Sequence, residues 1–347
     1  MSEYFISQIY PSDRRSLAQV DTLLQKEGIT RDGNLDYICA MRDENDVVIA
    51  TGSCFGPTLR CFAVSSDHQG EGLLNEIITH LMEVQFSRGN THLFLYTKTG
   101  SAKFFESLGF YEIARVDGKL VFMENRRNGF SGFLNALAKT KQDGVSAALV
   151  MNANPFTLGH QYLVETAAAQ CDTLHLFILS EDASLVPFAV RKKLVQAGTA
   201  HISNVVLHDS GPYIISNATF PSYFLKDETA VIEGHARLDL AVFIKIARAL
   251  NVTARFVGEE PTSQVTGLYN KIMAEKLPKA GIQCHIIPRK EANGKAISAS
   301  TVRQALQADD WEALNSLVPA TTLAYFQSPE AAPVLAKIRS AGNVVHY

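Results

Sequence analysis

One stretch, residues 145–169 (VSAALVMNANPFTLGHQYLVETAAA), constrains the fold of this chain more than any other. Residues 147–151 form an apolar run of strand length, residues 152–155 have turn composition, and apolar residues recur at helical spacing from position 157 onward. The order predicts a strand, a tight turn and a helix. Because a helix N-terminus offers free N–H groups and a partial positive charge, such a turn is suited to bind phosphate.

Individual residues of the turn strengthen this interpretation. Asn154 precedes Pro155 and is therefore biased toward an extended backbone, which ends the strand. Thr157 can cap the helix, Gly159 leaves bare backbone where a ligand can approach, and His160 would point its imidazole at the same anion. A purely structural interpretation stays open at this point, with Thr157 as a cap, Gly159 as a packing residue and His160 on the surface.

A second segment, residues 297–303 (ISASTVR), carries the same kind of chemistry. It opens an amphipathic helical pattern with hydroxyl side chains and ends on Arg303, whose forked donors suit phosphate oxygens. Two helix N-termini of this kind can clamp one triphosphate. The pair of segments therefore favours a nucleotide-binding site over a structural coincidence.

The two segments resemble the HxGH and ISSTxxR signatures of the nucleotidylyltransferase superfamily. Thr157 replaces the first histidine, and Ala299 and Ser300 replace Ser and Thr in the second signature, so most hydroxyl donors survive. The resemblance implies catalysis by positioning and charge neutralisation through His160, Thr157, Ser300 and Arg303, without a covalent nucleophile. The remaining candidate nucleotide-binding residues in this half of the chain are Asn152, Asn154, Pro155, Phe156, Gly159, Arg191, Gly258, Ile297, Ser298 and Thr301.

Composition limits the alternatives. The chain has 347 residues, enough for two domains, and its 46% hydrophobic and 19% charged residues are typical of a globular protein. A net charge of −3 does not indicate the excess of basic residues that is typical of nucleic-acid-binding proteins. The apolar runs are too short to span a membrane, and residues 1–10 lack signal-peptide features, so we expect a cytoplasmic protein without nucleic-acid or membrane partners. The five scattered cysteines predict buried, inert thiols and no metal site.

The N-terminal part reads as a mixed α+β unit. Residues 37–41 and 47–55 predict a hairpin, residues 59–64 a further strand, and residues 73–86 a helix after a glycine-bearing loop. With residues 102–110 (AKFFESLGF), this order resembles a GNAT-type acetyltransferase domain. The resemblance implies that the loop residues Gln69, Gly70 and Gly72 offer N–H groups to the pyrophosphate of coenzyme A. Leu74 stands where that family has a small residue, which leaves two alternatives: a pantetheine arm along the sheet, or a retained fold without a ligand.

The remainder alternates strands and helices. Strands are predicted at 173–179, 204–208, 229–233, 253–258 and 281–287, and helices at 187–197 and 238–250. The fold class is α/β: a GNAT-like α+β domain (1–130), a linker (131–144) and a doubly wound parallel-sheet, Rossmann-like nucleotidylyltransferase domain (145–347). Further candidates at strand ends are residues 180–182, 258–260 and 289–290. Glu259 and Glu260 either hold Mg²⁺ through water or are ordinary loop carboxylates.

The joint architecture, with residues 258–270 (GEEPTSQVTGLYN) and 288–290 (PRK), closely resembles the citrate lyase ligase family. That resemblance implies ATP and Mg²⁺ as cofactors, acetyl-adenylate formation from acetate, and release of AMP and pyrophosphate. It also implies acetylation of the thiol of a dephospho-CoA-derived prosthetic group on the citrate lyase acyl carrier subunit. Three alternatives remain: a nucleotidylyltransferase acting on a phosphorylated acceptor, a noncatalytic nucleotide-binding protein, and an N-acetyltransferase working through the first domain.

Overall fold

The structure is a computed structural model and describes residues 4–214, 220, 228–260 and 264–342. Contacts divide the described residues into two compact units. The first comprises those of Met1–Gly132 and Phe220–Ala241, and the second comprises those of Phe133–Thr219 and Val242–Tyr347. The units therefore do not follow the chain as two successive blocks, because the first unit also takes in part of a later segment.

The first unit is built on a seven-stranded sheet in the order β1-β2-β3-β4-β5-β7-β6. Its strands are β1 Ile6–Gln8, β2 Tyr37–Arg42, β3 Val48–Phe55, β4 Thr58–Val64, β5 Phe94–Lys98, β6 Tyr111–Val116 and β7 Leu120–Glu124. Its helices are α1 Arg14–Lys26, α2 Leu73–Ser87 and α3 Ala102–Ser107. All pairs are antiparallel except β4 and β5, which run parallel.

Helix α2 packs closely on this sheet. It buries Leu73, Ile77, Ile78 and Leu81 along one face. A Cβ added at Gly52 in β3 would lie 2.5 Å from Ile77 Cγ2, so only glycine permits this approach of helix and sheet.

Strands β4 and β5 pair over two residues only, Thr58 with Phe94 and Leu59 with Leu95, and then lose their pairing. A cleft of about 610 Å³ is lined by both strands beyond that point and by the start of α2. The predicted hairpin, strand, glycine-bearing loop and helix of this unit are confirmed.

Helix α4 (Gly129–Ala138) follows, and then the second unit begins its five-stranded, all-parallel sheet in the order β10-β9-β8-β11-β12. Its strands are β8 Ser146–Met151, β9 Thr173–Ile178, β10 Val205–Asp209, β11 Val252–Gly258 and β12 Gln283–Ile287, and a small hairpin joins β13 Glu291–Ala292 to β14 Lys295–Ala296. Its helices are α5 Leu158–Ala168, α6 Phe188–Thr199, α7 Glu228–Leu250, α8 Gln264–Lys276, α9 Ala299–Gln307, α10 Trp311–Leu317, α11 Ala320–Gln327 and α12 Ala332–Ser340; α7 begins in the first unit.

Helices cover both faces of the parallel sheet. Leu149 and Phe256 share a buried cluster with residues of α5, α6 and α9. Arg255, whose side chain points to the opposite face because strand side chains alternate, packs its guanidinium 4.1 Å from the ring centroid of Phe243 in α7. The doubly wound α/β prediction is therefore confirmed. In the part of the chain that the structure describes, no helix is long and apolar enough to span a bilayer.

The strand predicted at residues 229–233 is wrong, because those residues belong to α7. A short apolar run fits a strand and a buried helix equally well when taken alone. The buried residues Ala236, Leu240, Phe243 and Ala247 recur at helical spacing and extend the same pattern to the end of α7. The predicted helix at 238–250 is the second half of this longer one.

The cysteines are all free, as expected. Cys39, Cys54 and Cys61 are buried, and burial raises the pKa of Cys54 and Cys61 to about 12. Cys171 and Cys284 are only half-buried, so the expectation of full burial holds for three of the five.

Candidate active site

A cavity of about 700 Å³ lies in the second unit, lined by residues at the carboxyl ends of β8, β11 and β12. This is the edge where ligands bind in open parallel sheets, next to the point where the strand order reverses. His160 and Arg303 both line the cavity, so the two predicted motifs meet. The other predicted residues lining it are Asn152, Asn154, Thr157, Gly159, Gly258, Ile297, Ser298, Ser300 and Thr301.

Thr157 caps helix α5 and holds the imidazole of His160. Its hydroxyl accepts from the His160 backbone N–H at 3.2 Å, and its own backbone N–H donates to His160 Nδ1 at 3.1 Å. The Thr157 hydroxyl also lies 2.9 Å from Nδ1. Because an N–H must donate, Nδ1 is the acceptor, and the neutral ring carries its proton on Nε2.

The electrostatics of the site keep His160 neutral. Burial, and then the positive charge of Arg289, lower the pKa of His160 to about 4. The buried ring of Phe156 stacks on the imidazole with centroids 5.8 Å apart and an interplanar angle of 16°. His160 therefore offers a fixed N–H donor to a ligand rather than a positive charge.

Helix α9 contributes the second motif. Ser298 caps it by accepting from the Thr301 N–H at 3.0 Å. Arg303 is buried and donates through Nη1 to the carbonyl of Asn154 at 2.6 Å and through Nη2 to Ser300 Oγ at 3.1 Å. The second motif is thereby bonded to the turn of the first.

A close backbone approach joins the motifs at a second point. A Cβ added at Gly159 would lie 3.2 Å from the carbonyl oxygen of Ile297 and 3.4 Å from Thr157 Oγ1. The glycine thus lets the start of α5 pack directly against the backbone that precedes α9, which is the packing role of the structural interpretation, and Gly159 lines the cavity as well.

Arg191 lies behind the turn and does not line the cavity, contrary to the expected ligand contact. It is fully buried, so it is not a solvated helix residue either. Its guanidinium donates to four backbone carbonyls, those of Asn152, Leu179, Glu181 and Val186. These bonds tie the end of β8 to the loop after β9, which gives Arg191 a supporting place in the fold.

The same loop is held by the side chains of the turn. Asn152 exchanges hydrogen bonds with Ser184 Oγ, and Asn154 Oδ1 accepts from the Val186 N–H at 3.0 Å. Pro155 and Phe156 are buried and do not line the cavity. The side chains of the turn are therefore held by contacts with the loop after β9.

The far wall of the cavity carries charge. Arg289 and Lys290, considered only as secondary candidates from sequence, line it with Arg303, and Glu260 is the one carboxylate among the lining residues that the structure describes. Three cations against one anion make this wall suited to an anionic ligand. Sequence reasoning missed Tyr162, Leu163 and Gln304, which also line the cavity but have no charge or motif to mark them.

The described residues do not form a dedicated magnesium site. Glu260, the one carboxylate of the lining, is paired with Arg289. No group of three or more His, Cys, Asp or Glu is placed to bind a metal ion in the ranges that the structure covers. Residues 261–263, which belong to the segment 258–270 that resembles the citrate lyase ligase family, lie outside the described residues.

The cleft of the first unit contains the predicted loop. Gln69, Gly70 and Gly72 line it, and the two glycines adopt φ angles of 92° and 83° ahead of α2. Leu74 also lines the cleft and packs against the core below it. Phe62, Val64 and Phe104 give the cleft apolar walls, and β5 adds the polar side chains of Thr97 and Lys98.

Comparisons with known proteins agree with this architecture. The family model described as citrate lyase ligase C-terminal domain matches residues 146–326, and the acetyltransferase (GNAT) family model matches residues 4–110. A citrate (pro-3S)-lyase ligase from Haemophilus influenzae is 38% identical, covering 91% of this chain and 96% of its own. The protein of the same name from Escherichia coli K12 is 38% identical, covering 93% of both chains.

Among solved structures, an acyl-CoA N-acyltransferase from Pseudomonas aeruginosa matches 36% of this chain and 100% of its own, with 14% identity and a TM-score of 0.31. The curated relatives and the C-terminal family model decide the assignment, since both span most of the second unit and the relatives span nearly the whole chain. The chain belongs to the citrate lyase ligase family of enzymes.

Proposed function

We propose that this protein is an ATP-dependent acetate:thiol ligase that activates citrate lyase. Acetate would be adenylated by ATP, and the acetyl group would pass to the thiol of the dephospho-CoA-derived prosthetic group on the lyase acyl carrier subunit. Family membership supports the ligase class, and the names of the relatives identify citrate lyase as the protein on which the ligase acts.

The observation that carries the nucleotide half of this proposal is the bond between Arg303 Nη1 and the Asn154 carbonyl. It places the N-termini of α5 and α9 at one cavity, where N–H groups and cations converge. A polyphosphate bound there would meet the fixed Nε2–H of His160, the first turn of α9 and the charged wall around Arg289.

The first chemical step needs no covalent catalyst. A carboxylate oxygen of acetate attacks the α-phosphorus, the bond from that phosphorus to the bridging oxygen breaks, and pyrophosphate leaves. His160 would donate to the phosphoryl oxygens as charge builds on them, and the cations of the cavity would neutralise the leaving group. Mg²⁺ would add charge neutralisation when bound with the phosphates, and we assign it no protein cage.

The second step transfers the acyl group. The thiol sulfur attacks the acetyl carbon, the carbon–oxygen bond to AMP breaks, and the thiol proton is released. The cleft between β4 and β5 is our candidate for holding the pantetheine arm, because its unpaired strand edges can bond amides. Gln69, Gly70 and Gly72 would lie near the phosphate end of that arm.

Exchange of labelled pyrophosphate into ATP tests this function. We expect wild-type exchange to require acetate and the His160→Ala variant to lose about 10²–10³ of the rate. Exchange supported by a phosphorylated acceptor instead of acetate would favour a nucleotidylyltransferase. ATP binding without any exchange would indicate a noncatalytic protein, and acetyl-CoA consumption without ATP would indicate an N-acetyltransferase.

A further inference from the structure

We infer that Arg289 binds the pyrophosphate portion of the nucleotide, and that Glu260 is the positioning residue that aims it. The inference rests on the proposed function and adds a residue pair outside both sequence motifs. It follows from where β11 and β12 end, how the arginine is held, and which other cations share the cavity.

The two residues emerge side by side from neighbouring strands. Gly258 at the end of β11 pairs with Ile287 at the end of β12, and the Glu259 N–H donates to the Ile287 carbonyl at 2.8 Å. The chain then continues from both strands past the same sheet edge. Arg289 and Glu260 consequently line the same cavity from two segments that are distant in sequence.

The guanidinium of Arg289 is held along one side. Its Nε donates to the Glu259 carbonyl at 2.8 Å, and its Nη2 forms an ion pair with the Glu260 carboxylate. Among the residues that the structure describes, no acceptor is bonded to Nη1. A planar guanidinium fixed in this way has little freedom left to lose when it binds an oxyanion.

The other cations of the cavity are placed differently. Arg303 donates to the Asn154 carbonyl and to Ser300 Oγ, so much of its hydrogen-bonding capacity supports the fold of the site. Lys290 is exposed, and its Nζ lies 5.9 Å from the ring centroid of Tyr162. Arg289 is the cation that combines a fixed position, partial burial and an unbonded terminal nitrogen among the described residues.

Arg289 also acts electrostatically on His160. Its positive charge is the cause, after burial, of the low pKa of that imidazole. The two groups line the same cavity and would meet the same phosphate chain. A bound oxyanion would be shared between a charged donor and a neutral one.

The experiment compares Arg289→Gln, Arg289→Lys and Glu260→Gln with wild type. The control is Arg115→Gln, which removes an exposed Arg–Glu pair from β6 in the first unit. We expect Arg289→Gln to raise the KM for pyrophosphate in the exchange reaction by about 10- to 100-fold. Arg289→Lys should recover part of this effect, and Arg115→Gln should leave it unchanged.

Glu260→Gln separates positioning from charge. Removing a carboxylate makes the cavity more positive, so a purely electrostatic role predicts a lower KM for pyrophosphate. A positioning role predicts a higher KM despite the added positive charge. A lower KM in Glu260→Gln would overturn the positioning half of the inference.

Two direct measurements keep the inference independent of turnover. Calorimetric titration with inorganic pyrophosphate should show weaker binding to Arg289→Gln than to wild type, and NMR of ¹⁵N-labelled histidine should show a raised pKa of His160 in that variant. Equal pyrophosphate affinity in the two proteins would overturn the inference. If wild type binds pyrophosphate through Arg289 but lacks acetate-dependent exchange, the proposed function fails and the inference stands.

Discussion

Arg303 Nη1 donates to the Asn154 carbonyl at 2.6 Å, which bonds two residues that lie 149 positions apart in the chain. Asn154 lies in the turn before α5 and Arg303 lies within α9, so the two residues come from separate helical segments. Their bond, with the contact that Gly159 permits against Ile297, converts two sequence motifs into one binding surface.

Replacement of Thr157 tests whether its hydroxyl supports the helix or contacts the ligand. Thr157→Val should lower the free energy of unfolding by about 1 kcal/mol through loss of the cap, and Thr157→Ser should not. The Thr157 N–H still donates to His160 Nδ1 in the valine variant, so the KM for ATP should change little. Urea unfolding and exchange kinetics measure the two effects. A large rise in the KM for ATP in Thr157→Val alone would instead place the hydroxyl on the phosphate.

Replacement of Arg191 tests support from behind the turn. Arg191→Met removes the guanidinium donor from four backbone carbonyls and should destabilise the protein by about 3 kcal/mol or more. Compared with Arg191→Met, the Arg191→Lys variant should recover part of the stability and less of the exchange rate. An ammonium group cannot reproduce the planar set of donors of a guanidinium. Arg60→Lys is the matched control, since Arg60 is equally buried but pairs with Asp32 in the first unit. Full exchange per folded molecule in Arg191→Lys would confine this residue to stability.

Gly198 tests the packing beneath His160. A Cβ at this position of α6 would lie 2.4 Å from Phe156 Cε1, so Gly198→Ala should displace the ring that stacks on the imidazole. We expect a loss of about 1–3 kcal/mol and slower exchange. Gly132→Ala in α4, where a Cβ meets nothing within 4 Å, should be neutral or stabilising. Thermal unfolding of both variants checks this, and equal stability would mean that Phe156 moves without cost.

The dependence of stability on pH follows from three histidines. The pKa values of His160, His175 and His208 are lowered to about 4, mainly by burial. In the unfolded chain these groups bind protons near pH 6.5, so the free energy of unfolding should fall as the pH drops from about 6.5 toward 4. Urea unfolding at pH 7.5, 6 and 5 measures the loss. Exchange per folded molecule should stay level over the same range, because His160 remains neutral; a drop centred near pH 6.5 would contradict this.

Leu74 tests the role of the cleft. If the cleft holds the pantetheine arm, Leu74→Ala should change the rate of acetyl transfer to the carrier thiol and spare acetate-dependent exchange. The two assays run in parallel on the same preparation, and stability measurements correct for the core contact that Leu74 makes. Equal loss in both assays would argue against separate tasks for the two units.

The order of elements around residues 145–169 was predictable because strand length, a proline-bearing turn and helical spacing all agree there. The helix at residues 229–233 was not predictable, because their apolar residues fit the period of a strand as well as that of a helix. Only the rest of α7 decides between the two. A charged residue such as Arg191 in a helix usually lies on the surface. Only the fold shows that Arg191 is buried and donates to four backbone carbonyls. Likewise, the spacing of residues in the sequence does not show which ring nitrogen of His160 faces Thr157. The side-chain geometry shows that it is Nδ1.

The interrupted pairing of β4 and β5 leaves backbone donors and acceptors inside a sheet and not at its margin. An edge at the margin can be extended by any other chain and invites aggregation, whereas an opening inside a sheet is flanked by strands on both sides. The first unit thus keeps the hydrogen-bonding capacity of an open strand away from the sheet margins, where other chains could pair with it.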